Sequence, residues 1–314
     1  MRLVRTVSLL ALLVVGLAWG WTAPASEAGT AGEHAGAAAG AEAEHGLPPA
    51  AVPLFHVGPL PVTNSMVVTW LVAGGLIVLT RLATRNIRAV PEGAQNFWEW
   101  LVESLHDFLE GVIGPDLVKR TFWFFATVFI FILFTNWFGL IPGVGTILVN
   151  TPDGLQPLLR GGNADLNMTL AMAMIFFACW LVWALQANGV GGFVLHLFGP
   201  KGDMTGVLRL LMIVVFIAVG VLEVVSILFR PVSLSFRLYG NIFAGENMLE
   251  AMSGLIQEPA WLKYLASVVI PIPFYFLEVL VGLVQALVFM LLTAVFTMLI
   301  CQHDEGHAPG GEHA

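Results

Sequence analysis

The sequence predicts an all-α integral membrane protein with about five crossing helices, the last two long, plus one amphipathic helix at the membrane interface. Of the 314 residues, 58% are hydrophobic and only 11% are charged, whereas soluble domains carry about 25% charged residues. Basic residues cluster in the loops between apolar runs, and the net charge of −8 comes largely from acidic residues near the two ends. Nothing in this composition indicates nucleic-acid binding.

The N-terminal stretch has the pattern of a secretory signal peptide. Residues 1–25 carry two arginines, then the short apolar run Val7–Ala18, then small residues at Ala23 and Ala25. We expect cleavage after this stretch, with an uncleaved anchor as the alternative. Residues 26–60 are rich in Ala, Gly and Glu, which predicts a low-complexity extension outside the cytoplasm.

The membrane domain is predicted over residues 61–301. Its first crossing is Met66–Leu82, and Pro91–Gly114 follows with apolar residues spaced by three and four, the pattern of an amphipathic helix. Because its polar face is acidic, we expect this helix either to lie on the cytoplasmic interface or to dock against another subunit. The next two crossings, Thr121–Ile141 and Leu166–Leu185, form an antiparallel hairpin.

Two long apolar segments complete the domain, Gly206–Gly254 and Trp261–Cys301. Each is about twice the length that a perpendicular helix needs, so either two hairpins or two tilted helices fit the count. Seven basic residues fall in the inner segments, and only Arg160 and Lys263 fall in the outer ones. The positive-inside rule therefore places the N-terminus outside and the tail, residues 302–314, in the cytoplasm.

The first long segment carries an arginine, Arg237, within an apolar run. Such a group costs roughly 2.5–3.5 kcal/mol on insertion scales, so it marks a functional position unless it snorkels or pairs locally. Asn241, four residues on, shares its helix face. Glu246, nine residues on, points to the opposite side, roughly 13–14 Å along the axis.

The second long segment carries two polar residues on one stripe, Glu278 and Gln285, which are seven apart. An intramembrane glutamate is a functional hypothesis by default, whereas a glutamine can serve simply to join helices. Seven-residue spacing also places Glu223, Arg230 and Arg237 on one stripe of the preceding segment. We expect Glu223 to pair with Arg230 in a structural role.

A resemblance to a known family begins at residues 230–246, which read RPVSLSFRLYGNIFAGE. This stretch resembles the signature of subunit a of the F-type ATP synthases, the membrane stator beside the rotating c-ring. The resemblance continues at NWFGLIPG (136–143), NADLNMTLAMA (163–173) and VGLVQALVFMLLT (281–293), and covers residues 60–303. It implies two long, steeply tilted helices along the rotor rather than two further hairpins.

The resemblance also implies roles for individual residues. Arg237 would face the c-ring carboxylates, favour their ionised form, bar leakage between two offset half-channels and so couple ion flow to rotation. Arginine suits this role because it stays charged when partly desolvated. Asn241 and Gln285 match polar residues near the arginine, with Gln285 as its hydrogen-bond partner, and Glu246 matches the glutamate of proton access.

Glu278 departs from part of the family, because some bacterial relatives carry histidine at this position. The chain would then hold two carboxylates, Glu246 and Glu278, in one access path. If they lie close together, their repulsion favours a single shared proton, which suits a relay. If they lie apart, one of them is structural.

The partners implied by the resemblance are the c-ring, the stalk subunit b and the lipid bilayer, with protons as the transported ion. The location implied is a bacterial inner membrane, with a periplasmic N-terminus. We expect no cofactor, no metal and no catalysis on ATP by this chain, since no GxxxxGK[ST] phosphate loop occurs.

Two other functional classes are weaker. A stand-alone proton-coupled transporter is the main alternative, but an internal repeat would be expected and none is visible in the motifs. An intramembrane metalloenzyme needs clustered histidine and carboxylate ligands, and the sequence contains no HExxH motif.

Overall fold

The computed structural model confirms the all-α membrane class. In the part of the chain that the structure describes, five helical segments are long and apolar enough to cross a bilayer. The residues described are 51–57, 60–145, 147–151, 154–198, 207–256 and 259–301. The expected signal peptide, most of the N-terminal extension and the C-terminal tail lie outside these ranges.

Three helices begin the membrane domain: α1 (Asn64–Ala83), α2 (Ala94–Ile113) and α3 (Pro115–Gly139). Helix α2 is the predicted amphipathic helix, and it buries Leu105, Leu109 and Ile113, which lie one turn apart on a single face. The chain turns from α2 into α3 at Gly114, whose φ of 81° favours glycine. The predicted order of a crossing, an interfacial helix and a second crossing is therefore confirmed as a succession of helices.

Helix α4 (Leu166–Phe198) is longer than the predicted crossing, which ended at Leu185. Gly189 has a non-helical backbone, with φ of 68° and ψ of 168°, so the first stretch of α4 ends close to the predicted Leu185 and a second stretch continues after a kink. Asn188 holds this region in place because its Nδ2 donates to the Ile300 carbonyl at 2.9 Å.

The two long segments behave differently. The first is one continuous helix, α5 (Val207–Ser253), with Pro231 inside it. The second divides into α6 (Ala260–Val269) and α7 (Ile272–Cys301). Pro271 lies at the division, and proline has no N–H to donate to the preceding turn.

Short strands cover one end of the helices, where the sequence predicted only extension and loop. They are β1 (Pro53–Val57), β2 (Leu60–Thr63), β3 (Pro142–Gly145), β4 (Leu148–Thr151) and β5 (Gly154–Pro157). Two antiparallel pairs form, β1 with β2 and β4 with β5. The side chain of Asn64 joins them, because it accepts from the Val52 N–H and donates to the Pro157 carbonyl. These strands are too short to show an alternating pattern in the sequence.

The core is aromatic and centres on α3. Phe124 and Phe125 of α3, Phe176 of α4 and Phe289 of α7 are almost wholly buried. Helix α3 packs on α7, and α5 packs on α4 and α7. In α5, only 17% of the 18-residue apolar stretch is buried by the rest of the chain, whereas the corresponding stretches of the other four crossing segments are 33–50% buried. The long arginine-bearing helix therefore leaves most of its surface uncovered by this chain.

Candidate functional site

The carboxyl groups of Glu246 and Glu278 line one small cavity. It is enclosed by α3, α5, α7 and the short 3₁₀ turn before α4, and Thr135 and Asn136 supply its polar wall. Its volume of about 10 Å³ is close to the space that one water molecule requires. Glu278 is only 4% exposed. Of the two arrangements considered for these carboxylates, the structure has the close one.

Two glycines allow the carboxyl groups to reach these positions. A Cβ atom added to Gly245 would collide with the carboxyl group of Glu278, and one added to Gly161 would collide with Oε1 of Glu246. The backbone N–H of Gly161 also donates a hydrogen bond to the Glu246 carboxylate. Each carboxyl group thus lies against bare backbone, which only glycine permits.

Each carboxyl group retains one buried oxygen without a hydrogen-bond partner among the described residues. These atoms are Oε2 of Glu246 and Oε1 of Glu278. A buried polar atom left in this state costs about 1–3 kcal/mol. A proton on either carboxyl group supplies a donor that the other can accept, and the shared cavity brings the two groups to one place. The arrangement is therefore chemically suited to holding and transferring a proton.

A second, larger cavity of about 330 Å³ adjoins the strand-covered end of the helices. Glu246 lines this cavity too, together with Arg160, Glu250, Ser267 and Tyr275. Since Glu246 lines both cavities, its carboxyl group stands between the larger space and Glu278.

Arg160 is a site residue that was not predicted from the sequence. In the sequence it counted only as an outer-loop charge, but the structure leaves it 4% exposed. Its guanidinium carbon lies 5.9 Å from the ring centroid of Phe243, and it interacts electrostatically with Glu246. The available signal was a lone arginine directly before two glycines and the NADLNMT motif.

The motifs that carry the family resemblance meet beside the small cavity. Asn136 donates to the Gly282 carbonyl at 3.0 Å, and Asn163 donates to Oδ1 of Asn136 at 2.7 Å. Trp137 donates to the Val279 carbonyl at 3.2 Å. The bonds from Asn136 and Trp137 join α3 to the part of α7 that directly follows Glu278, and so restrict where its carboxyl group lies.

Arg237 and Asn241 are exposed on the opposite face of α5, as the spacing from Glu246 predicted. Asn241 Nδ2 donates to Gln285 Oε1 at 2.8 Å, joining α5 to α7 one turn from the arginine. Among the described residues, no carboxylate lies within ion-pair distance of Arg237. A hydrogen bond from Arg237 to Gln285 stays a prediction.

The predicted pairing of Glu223 with Arg230 is confirmed, with Oε1 and Nη2 3.5 Å apart. The guanidinium carbon of Arg230 also lies 4.6 Å from the Phe296 ring centroid and 5.8 Å from that of Trp180. Arg230 therefore contacts both α4 and α7.

Comparison with known proteins identifies the family. The profile of the family described as ATP synthase A chain matches residues 66–298. The chain belongs to this family. It is 32% identical to ATP synthase subunit a of Gloeobacter violaceus, over 81% of this chain and 90% of that protein. It is 31% identical to ATP synthase subunit a of Moorella thermoacetica, over 82% and 97% of the two chains, and 34% identical to ATP synthase subunit a 3 of Pelobacter propionicus, over 73% and 83%.

Membership of the ATP synthase A chain family confirms the resemblance drawn from the four motifs. The chain is a multi-pass membrane subunit of an ATP synthase, a complex that links ATP synthesis to ion transport. The long helix α5 thus belongs to a subunit that works within an assembly, which agrees with the large surface it leaves uncovered.

Proposed function

We propose that this chain is the stator subunit that carries protons between the two sides of the membrane and the carboxylates of a c-ring, through two offset half-channels. The observation that carries this proposal is the separation of charge across α5. Glu246 lies in an enclosed cavity with Glu278, whereas Arg237 lies on the exposed face of the same helix. One face is suited to proton access, and the other to a partner with anionic groups.

The outer half-channel begins at the 330 Å³ cavity. A proton from this cavity binds the Glu246 carboxylate, which lines both cavities. It then passes to Glu278 within the small cavity, because repulsion between two adjacent carboxylates favours a single shared proton. From Glu278 the proton leaves for a carboxylate of the c-ring.

Arg237 acts on the rotor side. A guanidinium stays charged when partly desolvated, and an isolated arginine at membrane depth is costly without an anionic or aqueous neighbour. A c-ring carboxylate that passes Arg237 is therefore favoured in its ionised form and releases its proton. The bond between Asn241 and Gln285 supports this role because it ties the arginine-bearing helix to α7 nearby.

The orientation follows from the basic residues, of which seven lie in the inner segments and two in the outer ones. We place the strand-covered end in the periplasm and the C-terminal tail in the cytoplasm, in a bacterial inner membrane. Residues 61–301 form the membrane domain, preceded by a signal peptide and a periplasmic extension. The c-ring and the stalk subunit b are the proposed partners.

The test is ATP-driven proton pumping by membranes that carry Arg237→Ala. We expect coupled pumping to be lost while ATP hydrolysis by the detached soluble sector continues. Arg81→Ala is the matched control, since Arg81 is exposed at the end of α1 and should pump as the wild type does. Pumping near the wild-type rate in Arg237→Ala would make the arginine a structural charge and overturn the proposal.

A further inference from the structure

The segment Arg160–Asp165, between β5 and α4, is buried at every residue. It is held from two sides, because Asn163 donates to Asn136 of α3 at 2.7 Å and Asp165 accepts from Ser65 of α1 at 2.6 Å. Gly162 fits tightly between them, since a Cβ atom there would lie 2.8 Å from Cγ2 of Thr135. A loop this firmly held can place a charge at one position.

The charge at the start of this segment is Arg160. Its guanidinium lies over Phe243, which is three residues before Glu246 on α5. The next residue, Gly161, donates its backbone N–H to the Glu246 carboxylate. Two consecutive residues of the loop therefore lie near the same carboxyl group. Gly161 donates a hydrogen bond to it, and Arg160 shares the larger cavity with it, although the ion pairs among the described residues do not include a direct one between these two side chains.

Glu246 is faced by charges from three directions. Glu278 approaches from α7, Glu250 from the next turn of α5, and Arg160 from the loop. Two of these groups are carboxylates that oppose a negative charge on Glu246. Among the charged groups that interact with Glu246 in the described part of the chain, Arg160 is the cation. Arg237 is not the cation that faces Glu246, because it lies on the other face of α5.

We infer that Arg160 is a positioning residue of the outer proton path, which holds the Glu246 carboxylate ionised and turned toward the shared cavity until a proton arrives. Arg160 and Glu246 line the same 330 Å³ cavity, and a nearby cation favours the charged form of a carboxyl group. This inference rests on the proposed function of Glu246 as the access carboxylate. It adds a second functional arginine, on the outer side and within the chain itself.

The test measures the protonation of Glu246 directly. Dicyclohexylcarbodiimide reacts with protonated carboxyl groups in apolar surroundings, and peptide mass spectrometry separates Glu246 from Glu278. The intact ATP synthase would be labelled with the wild-type chain, Arg160→Gln and Arg160→Lys. We expect Arg160→Gln to raise the labelling of Glu246 roughly three- to ten-fold, while Arg160→Lys stays near wild type and Glu278 does not rise.

Unchanged labelling of Glu246 in Arg160→Gln would overturn the inference. An equal rise at Glu246 and Glu278 would overturn it too, because it would show general loosening of the site. If Arg160→Gln does not assemble, Phe243→Leu removes the ring beneath the guanidinium, and labelling of Glu246 at the wild-type level there would count against the inference. Pumping by Arg237→Ala tests the proposed function separately, so the two can fail independently.

Discussion

The two faces of α5 place charged side chains in different surroundings. On the face that carries Glu246, the chain itself supplies an enclosing wall, a backbone donor from Gly161 and a cation from Arg160. On the face that carries Arg237, apolar side chains such as Val219 and Leu222 are exposed. The first face is completed by this polypeptide, whereas the second requires a partner. A site between subunits can therefore be recognised from one subunit by the contrast within a single helix.

The contrast also divides the proposed mechanism into a path and a barrier. Groups on the enclosed face can gain and lose a proton, because they are carboxyl groups. The group on the exposed face cannot, because arginine remains protonated under all ordinary conditions. The expected effects of substitution on proton flow differ accordingly for the two faces.

Loss of either cavity carboxyl group should have the largest effect. In Glu246→Gln and Glu278→Gln the amide keeps the shape of the side chain but cannot carry a proton, so we expect ATP-driven pumping to fall by at least about ten-fold. Passive leak through membranes stripped of the soluble sector should not rise. Arg237→Ala should instead raise that leak, because the barrier is removed.

Measuring pumping and leak in the same membranes separates the two faces. Wild-type pumping by Glu278→Gln would make Glu278 structural and leave Glu246 as the sole access carboxylate. A leak in Glu246→Gln as large as that in Arg237→Ala would contradict the division into path and barrier.

A smaller effect should follow from filling the space beside Glu278. In Gly245→Ala the added methyl group collides with the Glu278 carboxyl group, and overpacking of this kind costs typically 1–3 kcal/mol. We expect the free energy of unfolding in detergent to fall by about that amount and pumping to decline with it. Gly240→Ala is the control on the same helix, since no atom of the described residues lies within 4 Å of its added Cβ.

The outcome of Gly245→Ala reports on the enclosed face alone. If Gly245→Ala and Gly240→Ala unfold at the same temperature, the close approach of Glu278 to the α5 backbone is wrong. If Gly245→Ala is destabilised and Gly245→Ala combined with Glu278→Gly recovers stability, the collision is confirmed as the cause.

Most of the helical frame was predictable because it depends on the length and apolar character of single segments. Helix α5 was predicted within one residue at each end, and Arg237 and Glu246 were placed on opposite faces by their spacing. The first stretch of α4 was predicted to end close to its break at Gly189, but the second stretch was missed, because Gly191 and Gly192 are poor helix formers. Strand pairing was missed since it depends on Asn64 and on partners distant in the chain.

The site itself was predictable only in part. Glu246 and Glu278 stood out because each is a carboxyl group within an apolar run. Their meeting in one cavity depends on Gly245 and on the packing of α5 against α7, which no spacing within one segment reveals. Arg160 was read as a loop charge because its burial results from tertiary contacts of the following residues.

Substitution of Arg230, which joins α5 to its neighbouring helices, should have the smallest effect on stability and on pumping. Its guanidinium carbon lies 4.6 Å from the ring centroid of Phe296, and such a contact contributes about 0.5–1 kcal/mol when partly exposed. Arg230→Gln should therefore lower the free energy of unfolding by about that amount and leave pumping largely intact. Thermal unfolding in detergent and proton pumping, with Phe296→Leu in parallel, provide the check. Loss of pumping at unchanged stability would assign Arg230 to the proton path on the cytoplasmic side, and the comparison of faces would then have to include a third functional arginine.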